Sequence, residues 1–358
     1  MVSIARVDAD AISLEQLQLA ARNHGMPLEA LAYPITPIGL HYLLIHYDIP
    51  VVDADAWRLD VDGEVERPLS LSLHELRARP AIEVAVTMEC AGNGRARLAP
   101  RVDSQPWLHE AVGTGLWRGV RVRDVLEDAG LLGGAREVLF TALDRGVEDG
   151  VEQTYQRSLP LEEALSDDVI LAYELNGVPL PPQHGFPLRL LVPGWYGMTS
   201  VKWLTGLSVL DVPFEGAQMM LHYRLQQDEN DPGTPLTRMA PRALVIPPGI
   251  PEFHSRERFL DEGPCVLHGR AWSGWAPVSG VRVSVDGGAT WDDAVLERDV
   301  DSPWAWCAWS YEWQATRGRH ELSFRARDEA GNEQPVEPDW NVGGYANNAV
   351  HRVTVNVS

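Results

Sequence analysis

The chain of 358 residues contains few cysteines and no long apolar run. Its three cysteines, Cys90, Cys265 and Cys307, are too few for a disulfide scaffold, and their spacing matches no zinc-binding pattern. No apolar stretch reaches the roughly 20 residues that span a bilayer. The N-terminus has neither the basic and apolar regions of a signal peptide nor a twin arginine. These features predict a cytoplasmic protein with reduced thiols and no membrane partner.

Basic residues are also scarce, because 30 lysines and arginines stand against 51 aspartates and glutamates, for a formal net charge of −21. This balance argues against nucleic acid as a partner, since non-specific binding to it needs a basic surface. It equally disfavours an anionic membrane surface. A small anionic substrate remains compatible with the sequence, provided that a local basic pocket opposes the overall field.

The length of the chain accommodates two domains, and the pattern of elements changes along it. Residues 1–40 predict an irregular arm with one helix. Residues 41–215 mix strands with short helices and show no repeating βαβ unit, which predicts an α+β domain. Residues 216–260 are rich in proline, arginine and glutamine and predict an extended connector. Residues 261–358 contain short strands separated by turns, which predicts an all-β sandwich of the immunoglobulin-like type.

A loop that contains a cysteine follows the strand predicted over residues 82–88. Its sequence is Cys90-Ala91-Gly92-Asn93-Gly94-Arg95. The small residues let a bulky group approach the backbone, and a nearby guanidinium favours thiolate over thiol. Such a cysteine is a nucleophile or a soft-metal ligand. On these residues alone, an inert buried cysteine is the alternative, because free cysteines are often buried.

A second segment, residues 184–203, brings basic and hydroxyl side chains to the ends of strand-like runs. It contains His184-Gly185-Phe186-Pro187-Leu188-Arg189, then Val192-Pro193-Gly194, then Ser200-Val201-Lys202-Trp203. These groups could converge on a phosphate, with arginine as a two-pronged donor and lysine as a point charge. A solvated strand edge is the alternative reading of the same residues.

Together, the two segments resemble the sulfite oxidase family of molybdopterin-dependent oxidoreductases, which includes assimilatory nitrate reductases. Cys-Ala-Gly-Asn followed by arginine is that family's molybdenum-ligand motif, and the motifs of residues 184–203 are its pterin-binding signature. Runs such as Arg270-Ala271-Trp272 and Asp339-Trp340-Asn341 resemble its dimerisation domain. The resemblance implies a molybdopterin-binding domain of the sulfite oxidase fold followed by an immunoglobulin-like dimerisation domain, and therefore a homodimer.

The resemblance also implies roles for individual residues. Cys90 would be the protein's ligand to molybdenum, and Arg95, Trp107 and Tyr223 would line the substrate pocket. The residues implied to bind the cofactor, molybdenum with molybdopterin, are His46, Tyr47, Asp48, Asp144, His184, Arg189, Ser200, Val201 and Lys202.

The sequence departs from the family at positions near the substrate. Sulfite oxidases place three arginines there, of which only Arg95 is clearly kept, since His46 and Gly343 occupy the other positions. Residues 46–48 also differ in all three letters from the Arg-Asn-His of sulfite oxidases. The pocket is therefore expected to be less basic, unless histidines or arginines from elsewhere compensate.

The implied activity is molybdenum-dependent oxygen-atom transfer, as oxidation of sulfite or a related small sulfur oxyanion to sulfate. Reduction of S-oxides, N-oxides or nitrate is the alternative within the family, and Tyr345-Ala346-Asn347-Asn348 resembles its nitrate reductase and bacterial sulfite dehydrogenase branches. A non-catalytic binding module is the alternative outside the family. The chain has no haem motif, so electrons would pass to a separate acceptor, such as a cytochrome, another redox protein or oxygen.

Overall fold

The computed structural model describes residues 12–148, 150–228 and 230–358, so the first eleven residues of the predicted arm lie outside it. Its α-helices are α1 (Leu14–Arg22), α2 (Leu73–Arg77), α3 (Val122–Ala129), α4 (Leu161–Ala164) and α5 (Ala217–Met220). Short 3₁₀ helices occupy Leu28–Ala32, Ile38–Leu40, Arg95–Arg97, Pro182–His184 and Gly197–Thr199. Among the described residues, no helix is both long and apolar enough to cross a membrane.

Two sheets build the N-terminal part of the described chain. Its strands are β1 (Leu59–Gly63), β2 (Leu69–Leu71), β3 (Ile82–Glu89), β4 (Val112–Arg121), β5 (Glu137–Glu148), β6 (Val151–Pro160), β7 (Ile170–Leu175), β8 (Val178–Pro179), β9 (Arg189–Leu191) and β10 (Leu204–Leu210). One sheet has the order β2-β1-β10-β5-β6, and the other has the order β3-β4-β7-β8 with β9 beside β7. Strands β1 and β10 pair in parallel, and the other pairs are antiparallel. This mixture confirms the α+β prediction.

Helix α3 shows how the sequence directs this packing. Val122, Val125, Leu126 and Ala129 recur at helical spacing and are fully buried. They join an apolar core with residues of both sheets, including Val120 of β4 and Phe140 of β5. The helix therefore packs against the region where the two sheets share one core.

The C-terminal part is a β-sandwich. The strands after β10 are β11 (Arg224–Leu225), β12 (Thr234–Pro235), β13 (Arg242–Val245), β14 (Ile250–Pro251), β15 (Arg258–Leu260), β16 (Gly263–Trp272), β17 (Val278–Ser284), β18 (Asp292–Asp293), β19 (Val295–Glu297), β20 (Cys307–Ala315), β21 (Gly318–Asp328) and β22 (His351–Val357). Within the described residues, one sheet has the order β13-β16-β20-β19 and the other β14-β15-β22-β21-β17-β18. Side chains of both sheets, such as Trp309 and Phe324, form one apolar core.

The sandwich begins earlier than the sequence indicates. Strands β13 and β15 fall in the predicted connector, residues 216–260, yet β13 pairs with β16 and β15 pairs with β22. All four residues of β13 are buried, so the strand lacks the alternation of apolar and polar residues that marks a half-buried strand. The connector is therefore shorter than predicted.

A buried ion pair joins the two parts of the chain. Glu89, the last residue of β3, pairs with Arg242 at the start of β13, and both side chains are 2% exposed. The Glu89 carboxylate also accepts hydrogen bonds from the indole of Trp272 at 2.9 Å and the amide of Asn93 at 2.9 Å. Arg242 Nη2 lies 3.3 Å from Nδ1 of His109. The residue that precedes Cys90 is thus fixed by the sandwich.

We predict that His351, beside this ion pair, makes stability depend on pH. Its Nδ1 accepts a hydrogen bond from the Val245 amide, and burial lowers the pKa of the imidazole from 6.5 to about 3. The unfolded chain therefore binds a proton that the folded chain does not, so stability is present above pH 6.5 and is lost as pH falls toward 3.

Urea titrations at several pH values in that range measure how the free energy of unfolding depends on pH. His351→Gln should reduce the slope of this dependence by up to about 1.4 kcal/mol per pH unit. The matched control is His74→Gln, since the His74 side chain is exposed. An unchanged slope in His351→Gln would contradict the prediction.

Candidate functional site

Cys90 lies directly after β3, where the chain turns away from the sheet. Its side chain is 8% exposed, and its amide donates to the Ala111 carbonyl at 2.9 Å. Burial raises the pKa of the thiol, while Arg95, the Gly92 amide and the Trp107 indole act in the opposite direction. A metal ion bound at this position would add positive charge and favour the thiolate.

The glycines of this loop occupy positions where a larger residue would clash or be strained. A Cβ at Gly92 would lie 2.6 Å from both terminal nitrogens of Arg95, so the guanidinium packs against the bare backbone. Gly94 adopts a φ of +89°, in the left-handed region that favours glycine, and its carbonyl accepts from the Asn347 side chain at 2.8 Å. Arg95 is thereby held beside Cys90.

Two cavities meet at Cys90. One, here named the basic cavity, has a volume of about 70 Å³. The other, here named the aromatic cavity, has a volume of about 310 Å³. Cys90, Leu44, His46 and Tyr223 line both cavities. The thiol thus lies at the junction of two spaces that differ in chemistry.

The guanidinium of Arg189 lines the basic cavity. Its two terminal nitrogens donate to the carbonyls of His184 at 3.1 Å and Ser200 at 2.9 Å. The group lies 4.9 Å from the centre of the Trp117 ring, and its Nε has no hydrogen-bond partner among the described residues. Burial lowers the pKa of Arg189 to about 10. The His184–Ser200 segment therefore presents a buried cation that is still predominantly charged at neutral pH.

Lys202 supplies a second buried cation to the same cavity. Its ammonium donates to the Leu44 carbonyl at 2.6 Å, and burial lowers its pKa to about 7. Asp144 is the acidic residue of the lining, and burial raises the pKa of its carboxyl to about 6. His41 and His184 are neutral at neutral pH, since burial lowers their pKa values to about 4 and about 2. An anionic group in this cavity would restore charge to Lys202.

The aromatic cavity contains the other predicted site residues. Arg95 donates from Nε to the Gly343 carbonyl at 3.0 Å and from Nη1 to the Gln105 carbonyl at 3.1 Å. Its guanidinium lies 5.1 Å from the centre of the Tyr345 ring, which in turn lies 5.2 Å from that of Tyr223. Trp107 lines the same cavity, 5% exposed. Tyr223 has a φ of +55°, so strained backbone presents its ring.

Two predicted cofactor residues lie elsewhere. Asp48 lines neither cavity, its side chain is 96% exposed, and it lies 3.6 Å from Arg22. Val201 is fully buried in the core, where its side chain packs away from both cavities. Tyr47 lines the aromatic cavity rather than the basic one. The structure therefore brings His46, Asp144, His184, Arg189, Ser200 and Lys202 together around the basic cavity.

Sequence reasoning missed several residues of the site. His41 and Tyr155 line the basic cavity, and Glu148 lines the aromatic cavity. Arg157 is 3% exposed, and its guanidinium lies 5.4 Å from the centre of the Tyr223 ring. Tyr155, Arg157 and Glu148 all belong to the hairpin of β5 and β6. The sequence offers no local signal for these residues, because their burial follows from the pairing of β5 with β6. In the structure, the burial of Arg157 singles it out, since charged residues are rarely buried without a partner.

Comparison with known proteins places this site in a known class. Residues 46–218 match the oxidoreductase molybdopterin binding domain, and residues 244–358 match the Mo-co oxidoreductase dimerisation domain. The chain is 38% identical to sulfite oxidase of Gallus gallus over 344 residues, which cover 91% of this chain and 74% of that protein. The chain belongs to the sulfite oxidase family of molybdopterin-dependent oxidoreductases.

Other relatives are similar over a smaller share of their own length. The chain is 37% identical to mitochondrial sulfite oxidase of Mus musculus, with 90% of this chain and 62% of that protein covered. It is 35% identical to nitrate reductase [NAD(P)H] of Hordeum vulgare, with 90% and 39% covered. The crystal structure of the sulfane dehydrogenase SoxCD from Paracoccus pantotrophus has the same fold, with a TM-score of 0.81 at 24% identity, covering 100% of this chain and 89% of that chain. The prediction of a molybdopterin oxidoreductase is confirmed.

The residues present fit the family's cofactor, molybdenum with molybdopterin. No cluster of three or more potential metal-binding side chains occurs in the described part of the chain, so Cys90 alone cannot hold the ion. A cofactor that carries its own sulfur ligands would provide the remaining coordination. Arg189 and Lys202 face the basic cavity, and neither forms an ion pair with a described residue. A phosphate satisfies both cations.

Proposed function

We propose that this chain catalyses molybdenum-dependent oxygen-atom transfer and oxidises sulfite or a related small sulfur oxyanion, passing the electrons to a separate acceptor. The observation that supports this most is the position of Cys90 between a basic cavity and an arginine-bearing aromatic cavity. The first suits a phosphate-bearing cofactor, and the second admits a small oxyanion to the metal that the thiolate binds. Oxygen-atom transfer at the metal needs both the cavity for the cofactor and the cavity for the substrate.

Each residue has a defined task in this proposal. Cys90 would ligate the metal, while Arg189, Lys202 and the hydroxyl of Ser200 would hold the phosphate of the pterin. When bound, the cofactor supplies the transferable oxygen and the two-electron redox change. Arg95 attracts the anion and orients its oxygens through charge-assisted hydrogen bonds. Tyr223 closes the junction of the cavities and keeps water from the reacting atoms.

Metal analysis and a dye-reduction assay test the proposal. Purified protein should contain near-stoichiometric molybdenum and should reduce ferricyanide only when sulfite is added. Protein loaded with molybdenum that gives no sulfite-dependent reduction at millimolar sulfite would contradict it. Reduction of nitrate or S-oxides by reduced viologen dyes would instead support the second candidate, which is favoured by the 35% identity to the nitrate reductase of Hordeum vulgare.

We predict that Arg95→Met lowers kcat/KM for the anionic substrate by roughly ten- to a hundredfold, because a hydrogen bond to a charged group contributes about 1.5–3 kcal/mol. Steady-state kinetics with sulfite measures the change. Arg97→Met is the matched control, because Arg97 lies two residues further in the same 3₁₀ helix, is exposed and lines neither cavity. An equal loss in both variants would show a general electrostatic effect rather than a contact.

We further propose that the protein is a homodimer, because residues 244–358 match a dimerisation domain. Sedimentation velocity at micromolar concentration should give a species of about twice the chain mass of 39.7 kDa. A monomer alone at that concentration would refute the proposal. A cytoplasmic location also stays a prediction, which fractionation of cells would check.

A further inference from the structure

The aromatic cavity carries little net charge for a site that accepts an oxyanion. Among the described residues that line it, the charged side chains are Arg95 and Glu148. One guanidinium and one carboxylate offset each other, and the other titratable groups of the lining are two imidazoles, one thiol and three phenols. Sulfite carries up to two negative charges, and the cavity offers one fixed cation to balance them.

The carboxylate of Glu148 is a fixed part of this cavity. It accepts hydrogen bonds from the Tyr47 hydroxyl at 3.1 Å and the Gln218 amide at 3.1 Å, and His222 Nε2 lies 3.5 Å away. Its side chain is 28% exposed, so solvent screens it only in part. A second negative charge on a substrate would be repelled here.

The wall beside Arg95 is aromatic. Tyr345 lies under the guanidinium, Tyr223 lies against Tyr345, and Trp107 lines the same space. The Arg95 nitrogens Nε and Nη1 donate to backbone carbonyls, which leaves Nη2 for a ligand. At about 310 Å³, the cavity reaches the size of small pockets that take organic ligands, and it exceeds the needs of a four-atom anion. The lining therefore suits one negative charge joined to an apolar group.

We propose that the preferred substrate class of this cavity is an organic sulfinate, R–SO₂⁻, in which the two oxygens face Arg95 and R packs on the aromatic wall. This inference rests on the proposed function. A sulfinate keeps the sulfur lone pair that the chemistry needs, and the balance is R–SO₂⁻ + H₂O → R–SO₃⁻ + 2 H⁺ + 2 e⁻. One sulfur–oxygen bond forms, both O–H bonds of water break, and two equivalents of a one-electron acceptor such as ferricyanide take the electrons.

Substrate competition in the holoenzyme tests the inference. With ferricyanide as acceptor, kcat/KM for benzenesulfinate should exceed that for sulfite by about tenfold or more. Glu148→Gln should raise kcat/KM for sulfite about tenfold and change that for benzenesulfinate less, because it removes a charge that repels the dianion more strongly. Glu152→Gln is the matched control, since Glu152 lies on the same hairpin with a side chain that is 68% exposed.

A binding measurement gives a readout that does not depend on turnover. In calorimetry on the holoenzyme, benzenesulfonate should bind about tenfold more tightly than sulfate. Tighter binding of sulfate, or binding of neither anion, overturns the inference. Holoenzyme that oxidises sulfite faster than benzenesulfinate also overturns it and leaves the proposed function intact. Protein that contains no molybdenum and oxidises neither compound refutes the proposed function itself.

Discussion

Replacement of Cys90 by serine should reduce sulfite-dependent ferricyanide reduction to background while the protein stays folded. The side chain is 8% exposed and lies where the basic and aromatic cavities meet, and no other described cysteine lines either cavity. Serine keeps the shape, but its hydroxyl stays protonated at neutral pH and is a poor ligand for a thiophilic metal. Burial of the hydroxyl costs about 1–3 kcal/mol of folding stability. Kinetics and urea unfolding of the same preparation separate the two effects.

Cys307→Ser is the matched control for this experiment. Cys307 is also a buried cysteine, 4% exposed, and burial raises the pKa of its thiol to about 11. It belongs to β20 in the sandwich and lines neither cavity. This variant should lose a similar amount of stability and keep both molybdenum and turnover. Full activity in Cys90→Ser would show that the assignment of the ligand is wrong.

The second large effect concerns the ion pair between Glu89 and Arg242. Arg242→Ala should lower the free energy of unfolding by about 3–5 kcal/mol, because it leaves a carboxylate buried without its cation. The side chains of both partners are 2% exposed, so water cannot replace the lost contact. Urea titration with tryptophan fluorescence and circular dichroism measures the loss.

Two further variants make that result specific. Glu89→Gln combined with Arg242→Met should recover part of the stability, since no charge then remains buried. Arg145→Ala removes an ion pair with Glu152 whose side chains are 73% and 68% exposed, and it should change stability by about 0–1 kcal/mol. Equal losses in Arg242→Ala and Arg145→Ala would contradict the prediction.

Much of the site could be predicted because its residues cluster in continuous segments. The loop after β3 carries Cys90 and Arg95, and residues 184–203 carry four of the predicted residues that line the basic cavity, with characteristic glycines between them. Helix α3 was equally accessible, since apolar residues at helical spacing are a local signal. Local order of this kind is encoded within a few residues.

The parts that escaped prediction depend on long-range pairing. Glu148 reaches the aromatic cavity only because the hairpin of β5 and β6 extends beyond the sheet, and the sequence does not reveal how far a hairpin projects. Strand β13 was assigned to the connector because a short, fully buried strand shows no periodicity. The prediction that Asp48 binds the cofactor depends on a family motif from which residues 46–48 differ, and the Asp48 side chain is exposed to solvent.

The loop that carries Cys90 also constrains when the metal site can be completed. The carbonyl that anchors Arg95 belongs to Gly343, the Ala346 amide donates to the Ala91 carbonyl at 2.8 Å, and Asn347 supports Gly94. Gly343 follows Arg95 by 248 residues and Asn347 follows Gly94 by 253, so a ribosome makes these supports long after it has made the loop. A nascent chain that stops short of Gly343 cannot hold the loop in its final geometry, and the site that Cys90 and Arg95 form is therefore completed by the sandwich.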